Sequence, residues 1–210
     1  MEIILNNITK RYLYDWIFRN VNQHFTMSTR YAILGTNGSG KSTFLKILAG
    51  HLSPTKGAID YKINGQTIDK DDIYQYLSFA SPYIDLIEEF TLSETIHFHQ
   101  QFKPFIDNLS IADFLEVIEL KKAKDKEVRF FSSGMKQRLK LGLAICSDTS
   151  LLLLDEPTAT LDEKSVEWFH QLLQKYAANR LIIIASNEER DVVTCQERIN
   201  ILDYKKKNKG

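Results

Sequence analysis

The sequence has few cysteines, no excess of either charge and no long apolar run. Lys plus Arg and Asp plus Glu count 27 each among 210 residues, so no net field attracts the chain to nucleic acid or lipid. Cys146 and Cys195 form no disulfide framework, and their apolar helical surroundings favour small core residues in a reducing cytosol over a disulfide or metal pair. No apolar run approaches the roughly 20 residues that span a bilayer, and no signal-peptide pattern opens the chain. Any membrane role must therefore come through a partner.

Residues 35–43 read Gly-Thr-Asn-Gly-Ser-Gly-Lys-Ser-Thr, the pattern of a phosphate-binding loop. An apolar strand-like run at 31–34 precedes it and a helical run at 44–48 follows it, which is the context that the pattern requires. The glycines let consecutive amides point inward, Lys41 reaches the β- and γ-phosphates, and the Ser42 hydroxyl ligates Mg²⁺. A glycine-rich turn is the alternative, but it leaves the Lys-Ser pair unexplained. We predict a site for a nucleoside triphosphate with contacts from Gly35, Asn37, Gly38, Ser39, Gly40, Lys41, Ser42 and Thr43.

Two adjacent carboxylates, Asp155 and Glu156, follow the apolar run at 151–154. The carboxyl end of a buried parallel strand faces the crevice in which α/β sheets bind ligands. Asp155 has the position of a Mg²⁺ partner opposite Ser42, and Glu156 can orient or deprotonate the attacking water. A solvated strand end is the alternative. The phosphate loop elsewhere in the chain favours the catalytic interpretation.

Apolar patterning predicts an α/β fold. The runs at 151–154 and 181–184 are short and wholly apolar, as in strands buried on both faces of a parallel sheet. The segment 164–178 between them has the pattern of an amphipathic crossover helix.

Short strands are expected at 2–9, 21–26 and 58–63, the last running into the turn signal Asn64-Gly65. These strands predict an antiparallel strip beside the phosphate-loop strand.

Helical patterns at 92–124 and 139–145 predict a helical insert into the α/β core. We therefore expect one domain over 1–210, with the core and β strip at about 1–84 and 146–210 and the helical subdomain at about 85–145. The lysines at 205–209 are expected to form a solvated tail.

Residues 131–138 read Phe-Ser-Ser-Gly-Met-Lys-Gln-Arg and open the second helical pattern. Ser132 is a good helix cap, and Gly134 allows a close backbone approach at the helix start. At this distance before Leu-Leu-Leu-Leu-Asp-Glu-Pro-Thr, the segment resembles the signature motif of ATP-binding cassette (ABC) transporter ATPases, whose usual form is Leu-Ser-Gly-Gly-Gln. The resemblance covers essentially the whole chain. It implies a P-loop NTPase core, a parallel sheet flanked by helices, with an antiparallel β strip and an α-helical signature subdomain.

The resemblance also implies how such a domain works. Two domains would bind head to tail as a homodimer or heterodimer, with Ser132 and Gly134 contacting the γ-phosphate held by the opposite protomer. Tyr12 matches the ring that stacks on adenine, with Trp16 and Phe18 as rivals, and Asp162 ends the loop that crosses the dimer interface. Closure on ATP would drive integral-membrane permease subunits from the cytoplasmic face of the cell membrane, with no nucleic acid involved.

In the signature segment Ser133 replaces a glycine and Met135 a glutamine, and two further positions depart from the family pattern. Ser81 stands where the family has the glutamine-loop residue, and Asn187 stands where it has the switch histidine. A serine hydroxyl could still touch Mg²⁺, and asparagine could donate a neutral hydrogen bond but could not shuttle a proton. Because Lys41 and Glu156 are retained, we expect an ATPase of lowered turnover with Asn187 in the catalytic set. The alternatives are a slow ATP-sensing subunit and an ATPase that serves a soluble assembly complex.

The segment 81–102 contains several apolar and aromatic residues. In the family it borders the groove that receives a helix of the membrane subunit, although core packing explains the composition equally well.

Overall fold

The computed structural model of the chain describes residues 1–27 and 29–205. The expected lysine tail therefore lies, beyond Lys205, outside the described residues. In chain order the elements are β1 (Glu2–Tyr12), β2 (Asp15–Thr26), β3 (Arg30–Leu34), α1 (Lys41–Leu48), β4 (Lys56–Ile63), β5 (Gln66–Ile68), β6 (Leu77–Ala80), α2 (Leu92–Gln100), α3 (Ile111–Val117), α4 (Ser133–Cys146), β7 (Leu151–Asp155), α5 (Glu163–Tyr176), β8 (Leu181–Ser186), α6 (Glu189–Val192) and β9 (Glu197–Asn200).

A parallel sheet with the order β6-β7-β8-β3-β9 forms the centre of the fold. Its middle strands are buried on both faces, as predicted. In β7, Leu152 and Leu154 pack into one core, while Leu151 and Leu153 pack into the other. A strand that fills two cores has no polar face, which explains the continuous apolar run.

The antiparallel strip is a separate sheet with the order β2-β1-β4-β5. The predicted strands at 2–9 and 21–26 were too short, because β1 and β2 continue into a hairpin whose last paired residues are Tyr12 and Asp15. The turn at Asn64-Gly65 is confirmed, and both residues have positive φ, 51° and 80°. Phe18 on β2 meets Phe44 on α1 edge to face at 5.5 Å, which seats the strip on the phosphate-loop helix.

The predicted helical pattern at 92–124 is broken in the structure. The helix α2 ends at Gln100, and Pro104 follows, which cannot continue a helix because it lacks an N–H. Asp107 and Asn108 then take left-handed backbone angles before α3 begins. The helix α4 is longer than α2 and α3 and has no break. It is capped by Ser132, as predicted.

The crossover helix predicted at 164–178 is α5, whose buried residues include Trp168, Phe169 and Leu172. The parallel sheet, its flanking helices and the antiparallel sheet confirm the α/β class. Both cysteines are buried and free, as predicted. Within the described ranges, no helix has the length and apolarity needed to cross a bilayer. The domain limits at 84/85 and 145/146 stay a prediction.

Candidate functional site

A cavity of about 370 Å³ lies at the carboxyl edge of the parallel sheet. It brings together the phosphate loop, the acidic pair and the segment that follows β6. Its lining consists of Ile17, Asn37, Gly38, Ser39, Gly40, Lys41, Ser42, Thr43, Pro82, Tyr83, Asp155 and Glu156.

The phosphate loop depends on glycine at a contact with the hairpin. Gly40 has φ 108°, a conformation that side chains rarely adopt, and a Cβ there would lie 2.4 Å from Ile17 Cγ2. The loop can therefore pack against β2 only without a side chain at this position. The helix α1 begins at the next residue, so its N-terminal amides face the cavity.

Lys41 joins the phosphate loop to the acidic pair. Its side chain is almost fully buried, and Nζ donates to the carbonyl oxygens of Gly35 at 2.9 Å and Thr36 at 3.4 Å. The same Nζ lies 3.3 Å from Glu156 Oε1. An anion in the cavity would therefore compete with Glu156 for the lysine charge.

Asp155 is buried at the end of β7, with 1% of its surface exposed. Ser81 Oγ donates to Oδ2 at 3.3 Å, whereas Oδ1 is buried and has no hydrogen-bond partner among the described residues. Burial raises the pKa of the Asp155 carboxyl, and the neighbouring Glu156 adds to this, against the nearby hydroxyls of Ser42 and Ser81 and the charge of Lys41. A carboxylate with a free oxygen beside two hydroxyls provides the oxygen donors that hard divalent cations prefer.

Glu156 has an unusual backbone. Its φ is 45°, in the left-handed region, and its N–H donates to Ala185 O at 2.8 Å on β8. Such a conformation costs on the order of 1–3 kcal/mol and persists only where the surroundings hold it. The strained turn directs the half-exposed carboxylate to the cavity and to Lys41.

The predicted signature residues lie outside this cavity. Ser132 is exposed, and its hydroxyl accepts from Met135 N at 3.3 Å at the start of α4. A Cβ on Gly134 would meet only Thr160 O at 4.0 Å, so no contact within the described residues requires glycine there. Asp162 caps α5 by accepting from Ser165 N at 2.8 Å, and hydrogen bonds from Ser165 lower the pKa of its carboxyl.

Tyr12 and Asn187 are also absent from the lining of the main cavity. Tyr12 is half exposed at the end of β1, with Lys10 Nζ 5.1 Å from its ring centroid. Asn187 lines a neighbouring cleft of about 560 Å³, together with Gly35 and Asn37. Asn37 lines both the cavity and this cleft, so the two lie on either side of the phosphate loop.

Sequence reasoning missed Ile17, which lines the cavity, and Gln137 on α4, which is buried and donates to Pro157 O at 2.7 Å. Ile17 belongs to no motif, and Gln137 lies in the quoted signature segment but was given no role there. Both act through contacts that join distant parts of the chain.

A phosphate loop opening a helix, with a carboxylate pair at the end of a parallel strand, defines a P-loop nucleotide triphosphatase. The family model described as "ABC transporter" matches residues 18–159. The chain belongs to the ABC transporter ATP-binding proteins, which are ATPases.

Relatives agree with this assignment, and solved structures share the fold. The chain is 32% identical over 190 residues to the uncharacterized ABC transporter ATP-binding protein YybJ of Bacillus subtilis, covering 90% of this chain and 86% of that protein. It is 29% identical to the lantibiotic transport ATP-binding protein SrtF of Streptococcus pyogenes, covering 87% of this chain and 78% of that one. A putative ABC transporter ATP-binding protein from Pyrococcus furiosus has the same fold, with a TM-score of 0.82 and 21% identity over 98% of this chain and 100% of that one. A bacterial ABC transporter cassette solved as a dimer gives a TM-score of 0.78 at 23% identity, over 95% of this chain and 94% of that one.

Proposed function

We propose that the chain is the ATP-hydrolysing subunit of an ABC transporter and works on the cytoplasmic face of the cell membrane through permease subunits. The observation that carries the proposal is the single cavity holding Lys41, Asp155 and Glu156. In it, the phosphate loop holds the triphosphate, Lys41 neutralises the β- and γ-phosphates, and Glu156 orients the attacking water.

Mg²⁺ suits the oxygen donors at the end of β7. Ser42, Asp155 and Ser81 would hold it, and the unpartnered Oδ1 of Asp155 supports this assignment. Bound there, the ion would neutralise charge on the transferring phosphoryl group. The protein positions the phosphates, because Lys41 and the N-terminal amides of α1 hold them near Glu156, whose carboxylate orients the attacking water.

We further propose a head-to-tail dimer, either homodimeric or heterodimeric. The start of α4 is exposed and does not line the chain's own cavity, and nothing within the described residues requires Gly134. A helix N-terminus open to solvent can bind the γ-phosphate held by a second protomer. Asp162 and the rest of the loop after Glu156 would lie along the interface between the two protomers. Tyr12 would stack on the adenine of the bound ATP.

A second groove supports a permease partner. This groove, of about 370 Å³, lies between β6, α2 and α4, with a lining that is mainly apolar but also includes His51, Lys103 and Lys140. Lys103 Nζ donates to Tyr74 O, and Lys140 Nζ donates to Pro82 O at 3.1 Å. Partial burial lowers the pKa of both ammonium groups. We therefore assign the groove to an amphipathic helix of the permease that carries a carboxylate for these lysines.

The substitutions at the edge of the site favour slow turnover. Ser81 touches Asp155 but lacks the reach of glutamine, and Asn187 lacks the proton of an imidazolium. Because Lys41 and Glu156 are paired in place, we favour a working ATPase over a slow ATP-sensing subunit. An ATPase that serves a soluble assembly complex remains the second candidate, and co-purification with a membrane or soluble partner distinguishes the two.

Hydrolysis of Mg-ATP by the purified chain, measured beside ATP binding, tests the proposal. We expect wild type to turn over slowly and Glu156→Gln to bind ATP without hydrolysing it. Binding without turnover in both proteins would support the ATP-sensing alternative. Equal turnover in both would refute the role of Glu156.

A further inference from the structure

Asp191 is a buried carboxylate that the motifs do not include. It lies on α6 with 1% of its surface exposed, outside the cavity that holds Lys41 and Glu156. A buried carboxylate is costly unless hydrogen bonds or a cation compensate it. Arg190 is adjacent, but its Nη2 donates to the main chain, to Thr158 O at 3.2 Å. The carboxylate is therefore satisfied mainly by hydroxyl groups.

Its two oxygens accept hydrogen bonds from hydroxyls in two different segments of the chain. Thr158 Oγ1 donates to Oδ1 and Ser186 Oγ donates to Oδ2, and both hydroxyl residues are fully buried. Thr158 lies in the loop that carries Glu156, whereas Ser186 ends β8 immediately before Asn187. One side chain thus connects the loops of two proposed catalytic residues.

The contacts extend to the main chain on both sides. On one side, Glu188 N donates to Ser186 Oγ at 3.0 Å and Asp191 N donates to Glu188 O at 3.1 Å, which closes the loop around Asn187. On the other side, the Thr158 hydroxyl ties the loop after Glu156 to the same carboxylate. An ionised carboxylate only accepts, so both hydroxyls must donate to it, and the Ser186 oxygen is left to accept from Glu188 N.

We propose that Asp191 is a positioning residue that holds the Glu156 loop and the Asn187 loop in the arrangement that ATP hydrolysis requires. The proposal rests on the function proposed above, because the need for this arrangement comes from hydrolysis. Asp191 itself touches no substrate. Its effect passes through Thr158 and Ser186.

The first test compares steady-state ATPase kinetics of Asp191→Asn with wild type. Asparagine keeps the shape but has one acceptor atom, so one of the two hydroxyl bonds must be lost or reversed. We expect kcat to fall about tenfold, since small misplacements of catalytic groups have large effects on rate, while KM for ATP stays within about twofold. The variant pair Thr158→Val and Thr158→Ser tests the hydroxyl itself, because Val should reproduce the loss and Ser should restore the rate.

A matched control separates positioning from general loosening of the core. Ser78 is also a buried strand serine that hydrogen-bonds a buried ionisable group, but it lies toward the opposite end of the sheet. Ser186→Ala should lower kcat, and Ser78→Ala should leave the kcat of the folded protein unchanged. Equal effects of the two serine variants, or an unchanged kcat in Asp191→Asn, would overturn the proposal.

Amide hydrogen exchange without nucleotide gives a readout that is independent of activity. Asp191→Asn should speed exchange in both segments, 156–161 and 186–190, more than in the rest of the sheet. Faster exchange in neither segment, or in one alone, would refute the link even if the wild-type chain proved inactive. Inactivity of the wild type would count against the proposed function, and the exchange data would still decide the role of Asp191.

Discussion

Two buried ionisable groups lie toward opposite ends of the parallel sheet, and both have hydroxyl groups among their hydrogen-bond partners. Asp191 at the carboxyl edge accepts from the hydroxyls of Thr158 and Ser186. Arg180, just before β8, donates to hydroxyls and main-chain carbonyls. The carboxylate is connected to loops beside the nucleotide cavity, whereas the guanidinium is enclosed by the core. We conclude that location, not chemistry, separates a group that positions catalysis from one that stabilises the fold.

The network around Arg180 closes the end of α4. Nη1 donates to Ile145 O at 2.8 Å, and Nη2 donates to Ser78 Oγ at 2.6 Å and to Thr149 Oγ1. A cation at a helix C-terminus compensates unpaired carbonyls and the negative end of the helix dipole. Burial lowers the pKa of Arg180 to about 10, so the group stays charged at neutral pH. Arg180 thus anchors α4 at the end remote from Ser132.

The largest effect should come from the cavity itself. Glu156→Gln removes the carboxylate that acts on water, and we expect ATP hydrolysis to fall by about 10²-fold or more while ATP still binds. Phosphate release and nucleotide binding measure the two effects separately. Glu167→Gln, an exposed acid on α5, is the matched control and should behave as wild type.

Loss of the guanidinium should affect stability and not chemistry. Arg180→Met leaves buried hydroxyls and carbonyls without their donor, which should cost about 3 kcal/mol of unfolding free energy. For a chain of this size that corresponds to a decrease of roughly 6–12 °C in Tm. Denaturant unfolding and calorimetry measure the loss.

Arg180→Lys should recover part of the stability, because an ammonium donates but cannot reproduce the planar fork. If the kcat of the folded Arg180→Met protein fell as far as that of Asp191→Asn, the contrast between the two networks would be wrong.

Placing the family's histidine at position 187, in the cleft beside the phosphate loop, should have a smaller effect on turnover. Asn187→His supplies an imidazole that can carry a proton, and we expect kcat to rise by about two- to fivefold. Asn187→Ala is the control and should lower kcat. A histidine variant slower than wild type would indicate that the loop held by Ser186 and Asp191 is adapted to asparagine.

The smallest effect should be a pH-dependent difference in stability. Burial raises the pKa of Asp191 in the folded protein above its ordinary value, against hydrogen bonds from Ser186 and Thr158. The folded state therefore binds the proton more tightly than the unfolded state, and this residue's contribution to stability falls as pH rises between the two pKa values. Asp191→Asn removes that dependence, so its Tm relative to wild type should increase from about pH 4 to pH 7. A difference that shrinks toward neutral pH would contradict the pKa shift.

Contiguous motifs made much of the site predictable. The phosphate loop and the Asp155-Glu156 pair carry their chemistry in adjacent residues, and the structure places both in one cavity, as their strand contexts predicted. The strand runs of β7 and β8 were readable because burial on both faces leaves only apolar residues. The break after α2 was missed because the helix at 92–124 was predicted from its apolar spacing, although Pro104 lies within that range.

The amino-acid sequence by itself determined the family, the phosphate loop and the carboxylate pair, because each depends on residue types at fixed local spacing. Only the tertiary structure decided that Ile17 lines the cavity, that Asp191 connects two loops and that Arg180 closes α4. These contacts join residues that are far apart in the chain, where spacing carries no information. Burial then sets the chemistry, since a carboxylate or guanidinium removed from water must find its partners wherever the fold brings them.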